Sequence, residues 1–69
     1  MNLVINNRPE ILDVKAGTIN IEELLIAKNF TYKMLMVRVN GKNVKRDDYQ
    51  TTLIRENDNV EVIHLISGG

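Results

Sequence analysis

The chain has 69 residues, nine basic and nine acidic side chains, no formal net charge and a 43% hydrophobic share. One small domain is all this length supports, with roughly 60% of the unfolded surface buried, and the apolar share is too high for a disordered chain. Charge balance argues against a general nucleic-acid binder, which needs a clustered basic surplus; no cysteine is present for a disulfide, a thiolate nucleophile or a metal site, and a single histidine cannot build one.

The start, "MNLVINNRPE", lacks a basic leader followed by a long apolar run, and nothing resembles a membrane span, so a cytoplasmic location is the expectation. "NLVIN" reads as a strand with Leu3 and Ile5 on one face and Val4 on the other. "NNRP" is turn chemistry, since Asn tolerates positive φ and Pro9 presets its own. "EILDV" then reads as a returning strand with Pro9 at its entrance.

"KAGT" breaks the pattern, and Thr18 or Asn20 can cap a helix. Asn20 followed by Glu23 is a capping-box spacing, and Glu22 and Glu23 oppose the positive end of the helix dipole. Ile21, Leu24 and Leu25 form one apolar stripe, which predicts a helix from Ile21 to about Lys28, closed by Asn29 in a left-handed conformation. "MLMVRVN" predicts a strand with Leu35, Val37 and Val39 facing one way and Met34, Met36 and Arg38 the other. Asn40-Gly41 is a hairpin turn leading into a short "KNV" strand. "KRDDYQTTL" reads as loop with one helical turn, "ENDN" as a turn, and "VEVIHLI" as the last strand, with Val60 and Val62 set against Glu61, Ile63 and Leu65.

Strand, strand, helix, strand, short strand, strand is the order of a single α+β domain over residues 1–69. It fits a mixed four- to five-stranded sheet with one main helix on one face and the first and last strands parallel in the middle. That is the β-grasp, ubiquitin-like arrangement. After the last strand the sequence ends "ISGG", which predicts a flexible tail at 67–69.

This order, together with "KAGT", "IEELL", "VRVNGKNVKRDDY", "TTLIRENDNVEVI" and "SGG" at their spacings, resembles the ubiquitin-like sulfur carriers of the ThiS family across essentially the whole chain. Two departures are Val44-Lys45-Arg46, where the family commonly has Val-Pro-Arg, and Asn57, where it often has Gly. The resemblance implies a co-substrate and not a catalyst. A ThiF-type adenylating enzyme would activate the Gly69 carboxylate with ATP, and a sulfur donor such as a cysteine desulfurase would convert it to a thiocarboxylate. Thiazole synthase would then take the sulfur for thiamin biosynthesis. No cofactor would be held by the chain itself.

The chemistry of such a tail is plain. A carboxylate donates its acyl group only once an oxygen becomes a leaving group, as in an acyl adenylate. Gly69 has no Cβ to crowd the carbonyl, and Gly68 with Ser67 lets an extended tail thread a narrow channel. A second feature is the sheet face away from the helix, where Val4, Met36, Ile63 and Leu65 would form an apolar partner-binding patch.

Lys42, Lys45 and Arg46 form a small basic cluster, read first as a solvated loop that could steer an acidic partner. Asp47 and Asp48 read as surface charge, and His64 as a packing or hydrogen-bonding residue rather than a ligand. Two rival readings share the fold. One is a molybdopterin-synthase small subunit, which tends to be longer and often carries Pro-Pro before its terminal glycines. The other is a non-covalent β-grasp interaction module whose tail is incidental.

Overall fold

The computed structural model describes residues 1–30 and 34–65. Strand β1 (Asn2–Ile5) turns through Asn6 and Asn7, at φ 52° and 66°, into the antiparallel β2 (Arg8–Ile11). Pro9 is the second residue of β2, opposite Val4, and β2 stops at Ile11 instead of running on to Val14. Because β2 is an edge strand, the missing Pro9 N–H costs the ladder little.

Helix α1 (Ile21–Ala27) begins with the expected box: Glu23 N donates to Asn20 Oδ1 at 2.7 Å and Asn20 N donates to Glu23 Oε1 at 3.0 Å. It ends as expected too. Asn29 has φ 59°, its N–H donates to Ile26 O, and the Phe30 N–H reaches Leu25 O, a Schellman closure. Ile21, Leu24 and Leu25 are buried.

Strand β4 (Leu35–Val39) turns through Asn40 and Gly41, at φ 51° and 84°, into β5 (Lys42–Val44). The loop that follows holds one 3₁₀ turn at Arg46–Asp48. The Tyr49 carbonyl accepts from Ile21 N and Glu22 N, pinning this loop to the start of α1. The last strand of the sheet is β7 (Asn59–His64). The order β2-β1-β7-β4-β5 places β7 centrally, parallel to β1 and antiparallel to β4.

A second, two-stranded ribbon corrects the sequence reading. Thr18–Asn20 forms β3 and pairs antiparallel with Leu53–Arg55, β6, where a break and a loop were expected. Asn20, not Thr18, is the helix cap, because Thr18 is committed to β3. The ribbon brings Ile19 opposite Ile54, and both are buried beside Leu3, Ile5, Val37, Val60 and Val62. The core thus lies on one face of the five-stranded sheet, and that face is also where Ile21, Leu24 and Leu25 pack.

Candidate functional site

On the face away from the core, β4 and β7 set Met36 directly opposite Ile63. One step further along, the Leu65 N–H donates to Met34 O at 2.9 Å, so the pairing continues past the end of β7. Strand alternation puts Met34 and Leu65 on the same face as Met36 and Ile63. Met34 is 51% exposed, Leu65 42% and Ile63 36%, while Met36 is half-buried between its neighbours. Two cross-strand apolar pairs therefore stand together at the His64 end of β7. Exposed apolar side chains grouped in this way mark docking surfaces more often than exposed ones scattered singly.

Val4 is not part of that group. It is half-buried and stands opposite Asn59, four residues before Ile63 on β7, which is about 13 Å along a strand. The row between holds Arg38 opposite Glu61. Met34, which alternation already placed beside Met36, takes the position in the group that the sequence reading gave to Val4. Gly69, Gly68 and Ser67 lie outside the described residues.

Central placement makes β7 a firm base for whatever follows it. Its Val62 N–H donates to Asn6 Oδ1 at 2.8 Å, and Asn6 Nδ2 donates to Val62 O at 3.1 Å. The Asn6 side chain thereby carries the β1–β7 pairing beyond the point where the β1 backbone turns away. At the other end, Asn40 Oδ1 accepts from Asn59 N at 2.9 Å and Asn40 Nδ2 donates to Asp58 Oδ1 at 3.1 Å. Asparagines thus clasp β7 at its first residue, Asn59, and at Val62.

Among the described residues no three His, Cys, Asp or Glu side chains come together as a metal site, and Asp47 and Asp48 lie exposed on the 3₁₀ turn. His64 stands opposite Leu35 in the β4–β7 register and is exposed. Burial raises the Tyr49 phenol above its ordinary 10.0, and the nearby Arg46 partly offsets this. No described helix is long and apolar enough to cross a membrane.

A mixed five-stranded sheet with parallel central strands and one helix on its core face is a β-grasp domain, with an apolar group set at the exit of its central strand. The ThiS family model matches residues 4–69, and the chain belongs to the ThiS family. The crystal structure of a thiamine biosynthesis protein (ThiS) from Geobacter metallireducens is similar at 31% identity, with TM-score 0.87 and full coverage of both chains. An NMR solution structure of a thiamine biosynthesis protein from the same organism matches with TM-score 0.80 at 31% identity, over 100% of this chain and 88% of that one. A thiazole synthase of Magnetococcus marinus is 33% identical over 69 residues, and the chain spans 20% of that protein's length.

Proposed function

We propose that the chain is the sulfur carrier of thiazole formation in thiamin biosynthesis, a co-substrate reloaded at each cycle. Membership of the ThiS family is the observation that carries this reading. The thiazole synthase of Magnetococcus marinus supports it, because a polypeptide of that name contains a segment 33% identical to this chain.

In this reading the Gly69 carboxylate attacks the α-phosphorus of ATP held by a ThiF-type enzyme, pyrophosphate leaves, and an acyl adenylate forms. The terminal sulfur of a persulfide on a cysteine desulfurase or a similar donor attacks the acyl carbon and displaces AMP. A thiol then reduces the acyl disulfide to the thiocarboxylate and is itself oxidised to a disulfide, and thiazole synthase draws the sulfur from that thiocarboxylate. Each partner must hold the carrier while it works on the tail. Met34, Met36, Ile63 and Leu65 sit beside the point where the tail departs, so a partner that grips them brings its active site within reach of Gly69. The two thioethers suit a face that meets several partners, since methionine repacks readily. Ser67 and Gly68 serve as the slender link that threads the active-site channel.

Truncation tests this. A chain lacking Gly68 and Gly69 should keep native melting behaviour, because glycine has no side chain to bury, yet support no ATP–pyrophosphate exchange by the ThiF-type enzyme. Undiminished exchange with the truncated chain would favour the non-covalent module instead. Formation of molybdopterin rather than thiazole with purified partner enzymes would favour the molybdopterin-synthase reading.

A further inference from the structure

We infer that Arg38 and Lys45 form a cationic rim along the β5 side of the apolar face, and that the docking partner meets it with carboxylates flanking an apolar knob. This rests on the reading that the face docks a protein. Arg38 and Glu61 stand directly opposite in the β4–β7 register, the position where opposite charges ordinarily pair across strands. Arg38 turns the other way. Its Nε donates to Asn43 Oδ1 at 2.8 Å, and Asn43 is its register neighbour on β5. The ion pair formed among the described residues joins Lys28 and Glu10 instead.

That single bond through Nε fixes the guanidinium on the β5 side while leaving its Nη groups in the fork geometry that takes a carboxylate bidentately. Lys45 follows Val44, which packs against the core, and its backbone is extended at φ −74° and ψ 152°. Alternation therefore brings Lys45 to the outer face. One step beyond the Val37–Val44 pairing, that position lies beside Met36. Met36 thus has Ile63 on one flank and exposed Lys45 on the other, with Arg38 two residues further along β4. Glu61 lies on the β7 side of the same face, so charge runs from positive to negative across it. Arg46 belongs elsewhere: it lies close to the Tyr49 phenol, with Asp47 and Asp48 following it in the 3₁₀ turn. A partner approaching with its carboxylates over β5 is attracted in one orientation and repelled in the reverse, which sets specificity and association rate more than it sets affinity.

Binding to the purified ThiF-type adenylating enzyme from the same source, at low and high salt, tests the rim. The Arg38→Glu/Lys45→Glu double variant should bind about tenfold more weakly or worse at low salt, through slower association, and the gap should narrow as salt rises. Its melting temperature should stay close to native, because neither side chain is in the core. Arg38→Lys, which keeps the charge and loses the fork, should fall between native and double variant. Equal binding by native and double variant, with Ile63→Asp still weakening the complex, would overturn the rim and leave the apolar face as docking site. A native chain that the enzyme neither binds nor adenylates would overturn the sulfur-carrier reading along with it.

Discussion

Asparagine supplies most of the left-handed backbone found among the described residues: Asn6, Asn7, Asn29, Asn40 and Asn57 all have positive φ, and Gly41 joins them. Asn tolerates this region because its short polar side chain bonds locally. Here two of those side chains do more and tie β7 at Asn59 and at Val62. The turns were legible, since Asn-Asn-Arg-Pro and Asn-Gly announce themselves over a few residues. The clasps were not, because Asn6 and Val62 are 56 positions apart and nothing local signals their meeting. Asn6→Gly keeps the backbone conformation and deletes only the clasp. It should cost about 1–3 kcal/mol in urea denaturation, the penalty of leaving the Val62 N–H and C=O without that partner.

Glu56 offers a second test at this scale. The Asn2 side chain and then its backbone N–H donate to the Glu56 carboxylate, which holds its pKa below the ordinary 4.5 against a smaller opposing effect of desolvation. A depressed folded pKa means the unfolded chain takes up this proton first. The contribution is therefore complete above pH 4.5 and fades as pH falls through the folded value. Glu56→Gln should flatten the decline in stability below pH 4.5, measured by chemical denaturation across pH. An acid limb identical to that of the native chain would mean the clasp does not distinguish charged from neutral Glu56.

At the scale of elements, the helix was legible to its ends, because capping box, apolar stripe and closing Asn all point to one answer. The β3–β6 ribbon was not. Each strand has three residues, too few for alternation to show, and Thr18 carried a competing signal as a helix cap. Leu53-Ile54-Arg55 is a lone apolar pair amid polar residues, so burial of Ile54 follows only once Ile19 is known to lie opposite. Ile54 is 0% exposed and Leu53 48%. Ile54→Ala should lose about 2–5 kcal/mol in urea denaturation, with Leu53→Ala costing less than about 0.5. Near-equal losses would mean that the ribbon contributes no core.

The whole molecule separates its buried core from its exposed apolar group by position. Its core lies on one face of the sheet and the group of Met34, Met36, Ile63 and Leu65 on the other, the group through which the proposed carrier would dock. Part of this could be read early: strand alternation alone gave the Met36–Ile63 neighbourhood. The place of Val4 could not, because the offset between parallel β1 and β7 is set by a connection spanning most of the chain. Arg38 was equally opaque, since only the fold reveals that it bonds Asn43 in preference to Glu61.

Intact-mass analysis after incubation with ATP, a ThiF-type enzyme and a sulfur donor reaches the central claim most directly. The account predicts that the mass rises by the replacement of one oxygen with one sulfur, and that fragmentation places the change on Gly69. An unchanged mass with all three components active, or sulfur found on any other residue, would contradict it.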